Sequence, residues 1–228
     1  MGTDDFFKRK RAEKEARKYN FRELIPNSFL IVSEGKKTEP YYFEGLREYI
    51  VGKYGGSIDI ESPKIDIEGK GKCTVSLIEE AVRIVSKKHI LFEHVWVVFD
   101  KDNFDDFDEA IDLAKSFGFE VAWSNQSFEY WLFLHFYYSD AALHRDDWEE
   151  KLDEIFKHNK IGQGYYEKNL EDIFDLVTAN GGLKTAIANS KRIEATYKGK
   201  YICPSKCDPC TKVQNLILQL EPFLTDLL

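Results

Sequence analysis

The period of the apolar positions changes partway along the chain. Up to about Trp123, short β-rich runs alternate with amphipathic stretches; beyond it the spacing is helical almost throughout. Phe29-Leu30-Ile31-Val32 is a continuous apolar run of the kind that fills a strand buried on both faces of a parallel sheet, and it stops at Ser33-Glu34-Gly35. Thr38 can cap a helix with Pro40 in its first turn, and Tyr42, Phe43, Leu46 and Ile50 recur at helical spacing. Residues 58–67 read as extended chain broken at Pro63. After Gly69-Lys70-Gly71-Lys72, a second helix carries Val75, Ile78, Ala81, Val82 and Val85. Val95-Trp96-Val97-Val98-Phe99 is the strongest strand of the chain and ends at Asp100-Lys101-Asp102. Phe107, Ile111 and Ala114 mark a third helix that Asp105 is placed to cap, and residues 119–123 form a further strand.

Strands alternating with helices predict the α/β class: a mostly parallel, Rossmann-like sheet with helices on both faces. The segment from Phe128 to Phe136 is apolar all round and reads as a buried helix, with Ser127 as its cap. Four more helical stretches, at about 146–158, 169–179, 183–197 and 211–224, predict a C-terminal helical cap. The expected divisions are a basic arm or helix over 1–26, an α/β core over 27–138 and a helical subdomain over 139–228 packed on that core.

Composition narrows the function. Hydrophobic residues make up 43% and aromatics 14% of the 228 residues, enough apolar surface to offset the chain entropy of folding, so a wholly disordered chain is excluded. No run of 18 apolar residues could span a bilayer, and the polar start lacks a signal peptide's apolar region, so the expectation is a cytoplasmic protein with no membrane partner. With 32 Lys plus Arg against 40 Asp plus Glu, the net charge is −8, the wrong sign for coating nucleic acid by bulk charge. A phosphate-bearing partner must then be met by a local basic patch or by bound cations.

Ligands of open α/β sheets bind beyond the carboxyl ends of the strands, which singles out the charged residues that follow an apolar run. Glu34 follows the first strand; Asp100 and Asp102, alternate residues of an extended Asp-Lys-Asp, follow the Val95–Phe99 strand. Carboxylates brought together repel one another unless a cation lies between them, and Mg²⁺ takes oxygen ligands while keeping waters for substrate phosphates. The pattern predicts a Mg²⁺ site for phosphoryl chemistry, with Mn²⁺ as a substitute. The competing reading is ordinary loop carboxylates that cap helices.

The same residues carry a resemblance. The stretch from Ile31 through Ser33-Glu34-Gly35-Lys36-Lys37-Thr38-Glu39-Pro40 to Phe43, the strand ending Asp100-Lys101-Asp102, the stretch Ala122-Trp123-Ser124-Asn125-Gln126-Ser127-Phe128-Glu129-Tyr130-Trp131-Leu132, and the later Ala186-Ile187-Ala188 and Thr211-Lys212-Val213 resemble the RloB-like family. A strand-end Glu paired with Asp-x-Asp after a later strand is the pattern of the Toprim fold. The resemblance implies a Toprim-like, Mg²⁺-dependent nuclease of prokaryotic defence or abortive infection, cutting RNA or DNA, often encoded beside an ATPase partner. On that reading Glu34 is the acid/base and metal-organising carboxylate, and Asp100 and Asp102 hold the metal. A homo-oligomer is compatible with it.

Other residues bear on the same chemistry. Lys36 and Lys37 place positive charge at a helix start beside Glu34, and Lys70 and Lys72 lie in a loop after an early strand; all four are candidate contacts to a nucleic-acid backbone. That loop is not a P-loop, since position 66 is Asp where the first Gly is needed and Cys73 replaces the Ser or Thr. Glu129 intrudes into an apolar helix and is a candidate catalytic carboxylate or a favourable charge at the helix N-terminus. Asn125 on the same turn is placed to hydrogen-bond substrate. Cys203, Cys207 and Cys210 supply three thiols, one short of a structural zinc set, and read as a cysteine-containing loop. The rival functions are a non-catalytic Toprim-like module that docks an ATPase or senses a phosphate ligand, and nucleotidyl transfer by the same metal chemistry.

Overall fold

The apolar run at Phe29 lies inside β1 (Leu24–Ser33) of a computed structural model that describes residues 22–54, 57–61, 73–101, 105–200 and 202–228. From Ser28 to Ser33 every residue of β1 is buried, because neighbours hydrogen-bond to it on both edges and helices cover both its faces. The other strands are β2 (Ser57–Glu61), β3 (Leu91–Asp100), β4 (Glu120–Asn125) and the short β5 (Cys210–Thr211), in the order β2-β1-β3-β4-β5. The first four run parallel and β5 pairs antiparallel with β4. This is the α/β class that the alternation of periods predicts.

The strand order places β1 between β2 and β3, so the chain leaves β1 toward one side and later crosses to the other. Right-handed crossovers then put α1 (Thr38–Tyr54) on one face and α2 (Cys73–Lys87) and α3 (Phe107–Ser116) on the opposite face. α1 packs on β1 and β2, whereas α2 and α3 pack on each other and on β3 and β4. The order reverses at the β1/β3 junction, where connections diverge and a crevice opens beyond the strand ends.

The remaining helices are α4 (Phe128–Leu134), α5 (Arg145–Asn159), α6 (Ile173–Asn180), α7 (Leu183–Tyr197) and α8 (Val213–Gln219). All seven residues of α4 are buried, as its all-round apolarity requires, because it packs between β4, α5 and α7. Tyr42 of α1 meets Phe128 and Trp131 of α4 and Phe174 of α6 edge to face, with ring centroids 5.3–6.4 Å apart, so the core is continuous from sheet to C-terminal helices.

Several boundaries differ from the sequence expectation. β1 starts at Leu24, ahead of the expected core boundary at 27; a register shift between Ile25 and Phe29, with Asn27 at φ 56°, carries the strand past a bulge. The stretch 211–224 is not one helix. Thr211 joins the sheet, its hydroxyl 3.0 Å from that of Ser124, and Pro222, lacking an N–H, ends the helical run in a 3₁₀ turn over Glu221–Phe223. The region after 139 therefore contributes a strand as well as helices. Asp105 does not cap α3; Asp106 precedes that helix, and its carboxylate accepts a hydrogen bond from Val75 N (3.1 Å), capping the first turn of α2 instead. The arm over 1–26 lies mostly outside the described residues.

Candidate functional site

β1 and β3 end together. Ser33 stands opposite Val98, and the Glu34 N–H continues the ladder to Val98 O (2.9 Å), so the residues after β1 meet the end of β3. β4 is in register one strand further, Asp100 opposite Ser124. The C-terminal ends of three parallel strands thus form one edge, and above it lies a cleft of about 280 Å³. Its floor and walls include Glu39, Asp100 and Glu129 together with Lys36, Lys37, Arg145 and Lys168.

Asp100 is the centre of this cluster. Its Oδ2 accepts a hydrogen bond from Phe128 N (3.0 Å) at the start of α4, which takes the place of the expected Ser127 side-chain cap. Its Oδ1 is buried and has no hydrogen-bond partner. Burial raises the Asp100 pKa well above the ordinary carboxylate value, and the charges of Glu39, Glu129 and Glu34, in that order, raise it further; Arg145 opposes them. Glu39, also buried, is pushed up to about 7, first by desolvation and then, against its own backbone hydrogen bond, by Glu129, while Lys168 and Arg145 pull it down.

Gly35 explains how Glu39 fits. A Cβ built on Gly35 would overlap the Glu39 carboxylate, so the absence of a side chain there is what lets that carboxylate fold back against the loop. Glu129, 5% exposed, is held from above: the Tyr166 hydroxyl donates to its Oε1 (3.2 Å), and Lys168 Nζ lies 3.8 Å from the same oxygen. The Thr38 hydroxyl donates to Lys168 O (3.2 Å), tying the loop after β1 to the segment that carries Tyr166 and Lys168.

Of the residues singled out in the sequence, Asp100, Glu129, Lys36 and Lys37 converge on the cleft, both lysines exposed. Glu34 lies close enough to act on Asp100 electrostatically, but the residues lining the cleft begin at Gly35, and Glu39 is the stronger neighbour. Asp102, Lys70 and Lys72 lie outside the described residues. Asn125 is a correction. It is 1% exposed at the end of β4, and its amide donates to Ser205 O (3.2 Å), so it anchors the loop before β5 rather than facing substrate. Sequence reasoning missed Glu39, Arg145, Tyr166 and Lys168. Glu39 sits inside the Glu34–Phe43 motif, where its type and position were a usable signal; the other three come from the C-terminal region with no local pattern to mark them.

Cys203, Cys207 and Cys210 belong to no metal-holding group among the described residues. Cys207 and Cys210 are buried free thiols, burial pushes the Cys210 pKa up to about 12, and the two thiols donate to the carbonyls of Cys203 and Thr211 at 3.6 and 3.8 Å. Among the described residues no group of three or more His, Cys, Asp or Glu side chains is arranged to hold a metal ion. The donor chemistry at Asp100 nevertheless fits a hard divalent cation. The site offers oxygen donors only, one of them a buried, unpartnered carboxylate oxygen in a field of other carboxylates, and Mg²⁺ needs just one or two protein carboxylates because it keeps its waters.

Fold and cleft define an α/β protein with a carboxylate site at the switch point of a mostly parallel sheet. The model of the RloB-like protein family matches residues 29–220, and the chain belongs to that family. No curated protein and no solved structure matches it. No helix among the described residues is long and apolar enough to cross a membrane.

Proposed function

We propose that this chain is a Toprim-like, Mg²⁺-dependent phosphodiesterase that cleaves RNA or DNA, serving prokaryotic defence in company with an ATPase. One observation carries the reading: the buried, unpartnered Oδ1 of Asp100 at the end of β3, surrounded by Glu39, Glu129 and Glu34 at the switch point of the sheet. Such a cluster stores unfavourable charge that a divalent cation would relieve. Family membership and the Glu34/Asp100/Asp102 pattern support the same reading.

In this scheme Asp100 and Asp102, with Glu39 or Glu34, hold the cation. Bound there, Mg²⁺ would supply Lewis-acid polarisation of the scissile phosphate and charge stabilisation for the leaving oxygen. Glu34 serves as acid/base at the strand end. Glu129, fixed by Tyr166, orients the attacking water or the groups around it. Exposed Lys36 and Lys37 receive the neighbouring phosphates.

The test incubates the protein, alone and with the ATPase encoded nearby, with mixed RNA and DNA in Mg²⁺, Mn²⁺ or EDTA. Cleavage that requires the cation and is lost in Asp100→Asn is expected; the amide can still accept from Phe128 N, so the fold should persist or gain stability as repulsion falls. Cleavage by Asp100→Asn at the parent rate rejects the site. Failure of the parent to cleave under every condition leaves the binding-module alternative in its place.

A further inference from the structure

The cleft has a cationic wall that comes from outside the strand-end motifs. Arg145 is the first residue of α5 and Lys168 lies in the loop before α6. Both line the cleft with Asp100 and Glu39. The Arg145 guanidinium donates to Gln126 O (3.2 Å), just before α4, and its charge acts on both Glu39 and Asp100. Lys168 is anchored at its carbonyl by Thr38, while its ammonium stands 2.9 Å from Glu149 and 3.8 Å from Glu129. That side chain is 49% exposed, so the head group can move without unpacking the backbone that holds it.

A phosphate entering beside Glu39, Asp100 and Glu129 meets three carboxylates and is repelled unless cations stand next to it. Lys36 and Lys37 offer two on the β1 side. We propose that Arg145 and Lys168 form a phosphate subsite of the cleft, that Lys168 exchanges Glu149 for a substrate phosphate on binding, and that the strand received is single; this rests on the nuclease reading above.

The substrate class follows from size and from the adjoining surfaces. The cavity, about 280 Å³, is on the scale of one nucleotide and not of a duplex. Next to it, the groove along α5 displays Asp146, Asp147, Glu149 and Glu150 beside an Asp153–Lys157 ion pair, and the groove between α1 and α6 displays Glu44, Glu48, Glu171, Asp172 and Asp175. A backbone laid across either surface is repelled, which keeps the run of phosphate contacts short. A single strand can bend into the cleft and away from those faces, whereas a stiff duplex cannot.

The test is fluorescence anisotropy of end-labelled single strands and of the matching duplex, with the full chain, over a KCl series in EDTA so that no cleavage occurs. Lys168→Gln and Arg145→Gln should each weaken single-strand binding by about three- to tenfold and reduce the slope of log K against log salt by about 0.7 per contact removed. Glu149→Gln should strengthen binding, because Lys168 loses its competing partner; a merely structural ion pair would give no gain. Thermal melts of each variant separate binding loss from unfolding, and if Arg145→Gln unfolds, Lys168→Gln and Glu149→Gln carry the test. Parent-like binding and slope in Lys168→Gln, weaker binding in Glu149→Gln, tighter binding of duplex than of single strand, or no binding by the parent each overturns the proposal. Should the variants lose binding while the parent never cleaves in Mg²⁺, the subsite stands and the nuclease reading falls. Should the parent cleave while the variants bind unchanged, the subsite alone is wrong.

Discussion

At the scale of single residues the cleft depends on Gly35, Glu39 and Asp100. Gly35→Ala puts a methyl group into the space of the Glu39 carboxylate, which must swing away because the loop after β1 is tied to β3 by the Glu34 to Val98 hydrogen bond. The fold should survive, since only the end of a flexible side chain is displaced, with a loss of about 1 kcal/mol or less. Mg²⁺ binding followed by calorimetry should fall at least as far as in Glu39→Gln; parent-like affinity would show that the Glu39 position is immaterial. Glu39 also makes stability depend on pH. Its folded pKa, about 7, lies above the ordinary value of 4.5, so between those two values the native state holds more protons than the unfolded state. Its contribution is fully present below about pH 4.5 and is lost as pH rises through about 7. In Glu39→Gln that loss should vanish, leaving the variant more stable than the parent at pH 8 without metal.

Elements set the opposite slope. α4 is buried because nothing on it is charged except Glu129, and the chain that leaves it carries His135, whose Nδ1 lies 3.1 Å from Trp131 O and whose Nε2 lies 3.3 Å from the Tyr42 hydroxyl. Burial lowers the His135 pKa from 6.5 to about 4, with its backbone hydrogen bonds opposing. Between those values the unfolded state binds the proton, so this residue makes stability rise with pH over the window in which Glu39 makes it fall. Asp100, raised by the same burial and neighbouring charges, adds to the falling side, so urea midpoints of the parent should fall between pH 5 and 6.5. Relative to the parent, Glu39→Gln should show a shallower fall there and His135→Phe a steeper one, each slope differing by up to about 1.4 kcal/mol per pH unit. Identical slopes in all three proteins would remove both assignments. Elements also trade caps: Asp106 serves α2 and Asp100 serves α4, so the third helix and the β3 end each stabilise a neighbour in place of their own termini.

Across the whole molecule the C-terminal region is part of the sheet and of the site. β5 covers the edge of β4, and α8 packs on the same strand. Gln219, at the end of α8, bonds Trp96, His94 and Glu120 on β3 and β4. Asp108 of α3 accepts from both the N–H (2.9 Å) and the hydroxyl of Ser205 (2.6 Å), fixing the loop that leads into β5. A chain ending at Lys200 loses all of these and exposes the β4 edge, a template for aggregation. It should show no cooperative thermal transition by circular dichroism, and a fragment of residues 22–138 should behave likewise; a sharp melt from the fragment would establish the core as an independent unit. Arg145 and Lys168, which line the cleft, and Tyr166, which holds Glu129, come from this region, so the 22–138 fragment also lacks that side of the site.

The sequence alone determined the α/β class, because a continuous apolar run buries on two faces only as an inner parallel strand and the helical spacings between such runs leave one way to cover them. It also determined that Glu34 and Asp100 follow strands, and hence that their charges gather at the carboxyl edge, since a parallel pairing of β1 with β3 brings those ends together. Local pattern could not give the rest. Cys210 and Thr211 are too short a run to read as a strand, and become one only because β4 offers an unpaired edge. Asn125 sits in a motif that reads as a substrate contact, yet a loop some 80 residues later buries it. Arg145, Tyr166 and Lys168 carry no periodic or motif signal. Their place around Asp100 is decided by the packing of α4, α5 and α6 against the sheet, because the field in a cleft is the sum of charges that lie close in space whatever their distance along the chain.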